Sequence, residues 1–120
     1  MLQVLVIDDS PTDAYKFRSV LEKHGYEVIV AQNANEGIAK AQTVQPDVIL
    51  MDVVMPGLNG FQATRQLTKS KQTAHIPVVI VTTKDQDADK VWGHRQGAKD
   101  YLTKPVDELL LIETIKKVMV

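Results

Sequence analysis

Six residues of chemically useful type fall where apolar runs end. Asp8 and Asp9 follow Val4 to Ile7, Asp52 follows Val48 to Met51, Thr82 and Thr83 close the run from Ile76, and Lys104 follows Asp100 to Thr103. If those runs are neighbouring strands, three carboxylates, two hydroxyls and one ammonium meet at one edge. Carboxylates packed together repel, and at least one tends to hold a proton. A divalent cation removes the conflict, and oxygen ligands without Cys or His favour Mg²⁺ or Mn²⁺ over zinc. Mg²⁺ takes only one or two carboxylates directly. The remaining carboxylate is free to act as a nucleophile and form an acyl phosphate. A phosphoryl group held there needs cations and donors, and Mg²⁺, Lys104 and the Thr82 hydroxyl are of the right type. Singly, each residue is ordinary. Asp-Asp after a strand is commonly a turn or helix-cap signal, a strand-end Thr is usually structural, and Lys-Pro is usually a turn. Their joint placement carries the reading.

Five β-branched runs would position these residues: Leu2 to Ile7, Glu27 to Ala31, Val48 to Met51, Ile76 to Thr82 and Asp100 to Thr103. Three are almost continuously apolar, the pattern of strands covered by helices on both faces. The second and fifth are weaker and belong nearer the sheet edges. Helical spacing fills the gaps. Thr12 or Asp13 opens the first helix, with Ala14, Phe17, Leu21 and His24 on one face and Gly25 beyond its end. Asn33 caps the second, with Glu36 in capping-box position. Phe61, Thr64 and Leu67 mark a third. Ala88, Val91 and Arg95 mark a fourth, ended by Gly97. Asp107 caps a fifth carrying Ile112, Ile115 and Met119. This alternation predicts an α/β fold, an open, doubly wound parallel sheet with helices on both faces. In such sheets the site lies beyond the carboxyl ends of the strands.

The chain has 120 residues, one domain's worth, and is expected to be a single domain over 1–120 with no output domain. With no cysteine, disulfides, thiolate metal sites and cysteine nucleophiles are excluded. A net charge of −1 argues against wrapping nucleic acid. No window approaches the ~20 apolar residues of a membrane span, and the first apolar run is too short for a signal peptide. A cytoplasmic location is the expectation.

Val-Ile-Asp8-Asp9-Ser10, Leu-Met-Asp52-Val-Val-Met-Pro56-Gly57-Leu-Asn-Gly60, Val-Thr82-Thr83 and Tyr101-Leu-Thr-Lys104-Pro105 together resemble the receiver domains of two-component response regulators. The resemblance covers nearly the whole chain. It implies a flavodoxin-like sheet of order 2-1-3-4-5 with five helices. It implies that Asp52 accepts the phosphoryl group, and that Asp9, Asp52 and the Val54 backbone carbonyl ligate Mg²⁺, with Asp8 acting mainly through water. Thr82 would bond the phosphoryl oxygen, Lys104 would pair with it, Pro105 would be cis, and Tyr101 would be an aromatic switch turning inward with Thr82. Val54 and Lys84, two residues after Asp52 and Thr82, occupy positions that tune phosphate lifetime. Val54 offers no side-chain hydrogen bond to a hydrolytic water.

The stretches Phe61-Gln-Ala-Thr-Arg-Gln-Leu-Thr and Val91-Trp-Gly-His-Arg-Gln-Gly-Ala are similar to the small stand-alone regulators of twitching motility, which belong to the chemosensory system controlling type IV pili. That similarity implies a chemotaxis-type histidine kinase as donor and an output partner related to the pilus motor, or a role draining phosphate. The regulator assists only its own phosphorylation and dephosphorylation, and is not otherwise an enzyme. The rival reading is a Mg²⁺-dependent phosphohydrolase with an aspartate nucleophile, though short loops leave little room for a substrate cap. Neither the Walker phosphate loop nor the dinucleotide glycine pattern is present.

Trp92, Tyr101 and Leu110 are expected to mark a partner surface on the fourth helix, fifth strand and fifth helix. Trp is enriched at binding hot spots. Four consecutive apolar residues, Leu109 to Ile112, cannot all face the core of one helix. His24, His75 and His94 are too dispersed for a metal or catalytic set. Asp85, Asp87 and Asp89 lack the glycine and distal Glu of a calcium loop and read as the start of a helix.

Overall fold

A computed structural model describes residues 1–120. The elements are β1 (Gln3–Ile7), α1 (Pro11–Lys23), β2 (Glu27–Ala31), α2 (Ala34–Val44), β3 (Val48–Met51), α3 (Gly60–Lys69), β4 (Val78–Thr82), α4 (Asp87–Arg95), β5 (Asp100–Thr103) and α5 (Glu108–Val118). All strand pairings are parallel, in the order β2-β1-β3-β4-β5. The two weakly apolar runs are the edge strands, and the three continuous ones are central. β4 begins two residues later than its run, because Pro77 has no N–H to offer the ladder. Its carbonyl still accepts from Ile49.

Alternate residues of each central strand serve opposite faces. Val4, Val6, Val48, Leu50, Val79 and Val81 pack with Leu21 of α1 and with Leu111, Ile112 and Ile115 of α5. Leu5, Ile7, Ile49, Met51 and Val78 pack with Ala34 and Ala41 of α2 and with Ala63 and Leu67 of α3. Fully burying one such side chain contributes roughly 1.5–3 kcal/mol. A one-residue slip would turn each strand's other set inward, but here both faces are apolar. Register is therefore fixed by the helices and strand ends more than by alternation.

Two helix assignments change. Ser10, not Thr12 or Asp13, caps α1. Its hydroxyl accepts from the Asp13 N–H, and Pro11 takes the first helical position, where a missing N–H costs nothing. The Asp13 carboxylate is thereby released for another role. In α4 the face formed by Ala88, Val91 and Arg95 points outward, with Val91 52% exposed. Gly93 is the buried residue instead, because the helix lies so close to the sheet that a Cβ there would meet Ile80 and the Tyr101 ring. The capping box expected at α2 is shifted by one: Asn33 caps the helix by accepting from the Glu36 N–H, but the Glu36 carboxylate accepts from the Gln32 N–H. A complete box, Asn59 with Gln62, starts α3.

The turn after β3 is fixed by close backbone contact. Gly60 donates to the Val53 carbonyl, and a Cβ at Gly60 would overlap the Asp52 carbonyl oxygen and the Val53 Cα. Backbone atoms cannot rotate aside as a side chain can. Gly60→Ala should therefore lower the urea-unfolding free energy by about 1–3 kcal/mol, the usual cost of overpacking. Equal stability would show that the turn yields freely.

Candidate functional site

Register brings the chemical residues together. Ile7 of β1 pairs with Met51 of β3, so Asp8 and Asp52 emerge side by side. Thr82 of β4 pairs with Thr103 of β5, so Lys104 leaves the sheet one strand beyond. The ladder continues one residue into the site: Asp8 donates to the Ala31 carbonyl, Asp52 to that of Ile7, and Lys104 to that of Thr82. The Lys104–Pro105 peptide is cis.

Lys104 Nζ donates to Asp8 Oδ2 at 2.8 Å, Asp13 Oδ2 at 2.9 Å and Asp52 Oδ2 at 3.3 Å. Its ammonium also lies 5.8 Å from the centre of the Phe17 ring, within cation–π reach. The second oxygens of the acids are held by backbone. Ser10 N–H donates to Asp8 Oδ1 and Val54 N–H to Asp52 Oδ1. Burial pushes the Asp8 carboxyl above its ordinary pKa, against the pull of the Lys104 and Ser10 hydrogen bonds. Burial alone would lower the Lys104 pKa, but hydrogen bonds to Asp8 and Asp13 and the nearby charge of Asp52 outweigh it and raise it. The lysine is therefore an ammonium at neutral pH.

A divalent cation fits this donor set. Oxygen atoms of Asp8, Asp9 and Asp52 all lie within 4.8 Å of one another, with Asp9 exposed. One ammonium does not neutralise this many carboxylates. Thr82 Oγ1 is fully buried and has no hydrogen-bond partner. An orphaned hydroxyl of that kind costs roughly 1–3 kcal/mol unless a ligand or water satisfies it. Thr83 is exposed beside the groove holding Lys104.

The rest of the expected set is dispersed more widely. Tyr101 is only 8% exposed, so its ring belongs to the interior and not to a partner surface. It packs with Val53, Phe61, Ile80 and Ala98, and its hydroxyl donates to the Lys84 carbonyl at 2.7 Å. Burial first, then the charges of Asp89, Asp52 and Asp85, push the phenol up to about 12. Lys84 is joined to the site through that backbone carbonyl, while its ammonium faces Asp89 at 3.9 Å. Val54 is 55% exposed. Trp92 and Leu110 are both about half exposed; Trp92 walls a groove with Val54, Asn59 and Phe61. Asp13 was missed as a site residue. The available signal was its place in the first turn of the helix that follows the two aspartates, where an acid also suits the helix dipole and so excites no notice.

Residues 4–116 match the family described as the response regulator receiver domain. The chain belongs to this family. It is 63% identical over 119 residues to Protein PilH of Pseudomonas aeruginosa, covering 99% of this chain and 98% of PilH. It is 38% identical over 114 residues to the response regulator PleD of Caulobacter vibrioides, covering 95% of this chain but 25% of PleD. The structure superposes on the Vibrio cholerae chemotaxis protein CheY4 with a TM-score of 0.92, at 34% identity and 98% coverage of each chain. The receiver domain is a signalling module, and no helix here is long and apolar enough to cross a membrane.

The raised Asp8 pKa has a stability consequence. In the unfolded chain Asp8 ionises near the ordinary aspartate value of about 3.9, and in the fold it ionises at higher pH. The folded state is thus relatively favoured below the unfolded pKa, and that advantage is lost as pH rises through the folded pKa. Asp8→Asn should be more stable than the wild type at pH 7 without metal, with the difference vanishing below about pH 4, close to the unfolded carboxyl value. Mg²⁺ should reverse the order, since a ligand at ten times its Kd adds about 1.4 kcal/mol to the form that binds it. Thermal unfolding across pH, with and without Mg²⁺, reads both effects. A variant that is less stable at pH 7 without metal would contradict the account.

Proposed function

We propose that this receiver takes a phosphoryl group from a chemotaxis-type histidine kinase onto Asp52, and that it serves the chemosensory control of type IV pilus twitching motility. The observation carrying the phospho-acceptor reading is the partnerless Thr82 hydroxyl buried beside an acidic cluster that also binds an ammonium. A phosphoryl group on Asp52 would offer the oxygens that Thr82 and Lys104 can donate to. The 63% identity with PilH supports the pilus assignment.

Of the two Asp52 oxygens, one is held by Val54 N–H and the other by Lys104. In transfer, an Asp52 oxygen bonds to phosphorus as the bond from phosphorus to the donor imidazole nitrogen breaks. The electron pair goes to that nitrogen, which takes up a proton. Asp8, Asp9, Asp52 and the Val54 carbonyl would hold Mg²⁺, which supplies positive charge to the phosphoryl oxygens when bound. Lys104 neutralises charge from the other side and Thr82 donates a hydrogen bond. Phosphorylation then biases a two-state equilibrium. Thr82 and Tyr101 would report it, a reading supported by the packing of Tyr101 with Ile80 of β4 and by its bond to Lys84, two residues past Thr82. Trp92 and Leu110 offer exposed apolar area to an output protein. The domain assists its own phosphorylation and dephosphorylation and turns over no external substrate, and the family match favours this over a phosphohydrolase.

Intact-mass analysis with Mg²⁺ and acetyl phosphate tests the acceptor. One phosphoryl adduct is expected on the wild type and none on Asp52→Asn. An adduct that persists in the variant, or none on the wild type, would refute Asp52 as acceptor.

A further inference from the structure

An ammonium has three N–H bonds, and Lys104 directs all of them at carboxylates. Asp52 receives the longest, 3.3 Å, while Asp8 and Asp13 hold the nitrogen at 2.8 and 2.9 Å. We propose that Asp13 is a positioning residue that holds Lys104 back from Asp52 in the resting domain and competes with the phosphoryl group for it. The inference builds on the reading of Asp52 as acceptor.

Three observations carry it. α1 does not need the Asp13 carboxylate as a cap, because Ser10 already caps the helix and receives the Asp13 N–H. The carboxylate is spare, and it turns to Lys104. Next, the Asp13 side chain is 35% exposed, against 2% for Asp8 and 8% for Asp52. Breaking an ion pair strands little charge when the carboxylate left behind can be rehydrated, and only Asp13 can. It is therefore the partner that Lys104 gives up. Finally, Lys16 and Glu108, the other charged residues lining the groove around Lys104, make no ion pair with it; Glu108 is held by Lys23 and His24 instead. The sideways position of the ammonium is left to Asp8 and Asp13. When Asp52 carries a phosphoryl group, negative charge grows at that end, and Lys104 must shift from Asp13 toward it.

Beryllofluoride, a phosphoryl mimic that binds the acceptor carboxylate, tests the idea at saturating Mg²⁺, with binding followed by Trp92 fluorescence. Asp13→Asn keeps the side-chain shape and removes the charge. Its half-saturating beryllofluoride concentration should fall about three- to tenfold, the range between an exposed ion pair and a hydrogen bond to a charged group. Asp13→Glu should restore wild-type behaviour. Glu108→Gln, which removes a charge from the same groove without touching Lys104, should change nothing. The ¹⁵N resonance of the Lys104 ammonium should move in Asp13→Asn and not in Glu108→Gln. Unchanged or weaker binding by Asp13→Asn would overturn the proposal, as would an equal gain in Glu108→Gln. Wild-type protein that binds no beryllofluoride would overturn the acceptor reading and this proposal together.

Discussion

One ammonium group holds the working end of this domain together. Asp8, Asp13 and Asp52 come from two strand ends and a helix, and without a cation between them they would repel. Lys104 Nζ reaches all three within 3.3 Å. Deep burial of Asp8 and Asp52 makes their contacts with it strong, because interior charges are poorly screened, and makes them costly to break, while Asp13 stays partly open to water. The arrangement is stable enough to fold and still short of positive charge. That shortage of positive charge is what a divalent cation would relieve.

The fold exists to deliver those atoms to one place. Parallel strands end at the same edge of the sheet, and register places Asp8 beside Asp52 and Thr82 beside the strand that carries Lys104. Ladder hydrogen bonds running one residue past β1, β3 and β5 keep the site residues from fraying. Gly60 lets α3 start hard against the Asp52 backbone, and Gly93 lets α4 settle on Tyr101. The same close packing links the Asp52 turn to the outer helices. Tyr101 touches Ile80 below α4 and bonds the Lys84 carbonyl in the loop after β4, so a shift at Thr82 has a short mechanical route outward.

Most of the architecture was legible in the sequence because buried parallel strands have a simple signature. The bounds of β2, β3 and β5 coincide with their apolar runs, and strand hydrophobicity ranked centre against edge correctly. The misreadings have local causes. Ser10 was passed over as a cap because Thr12 and Asp13 are equally good capping types, and only the Ser10 hydroxyl contact decides between them. Val91 was turned inward because the helical spacing of Ala88, Val91 and Arg95 was taken to mark the core face. In α4 the limiting quantity is distance to the sheet, which only Gly93 satisfies. Tyr101 was grouped with Trp92 and Leu110 on a partner surface by family resemblance, yet its ring fills the space beneath α4. Asp13 escaped notice since its partner is 91 residues away in the chain, a separation that no local pattern reveals.

The central claim is that Lys104 stands in for a metal ion among carboxylates that cannot otherwise coexist. Urea unfolding of Lys104→Met, with and without saturating Mg²⁺, tests it most directly. Without metal the variant should lose about 3–5 kcal/mol, the cost of stranding buried charge. Mg²⁺ should then return more stability to the variant than it adds to the wild type. A variant as stable as the wild type without metal, or one that Mg²⁺ stabilises no more than the wild type, would contradict the account.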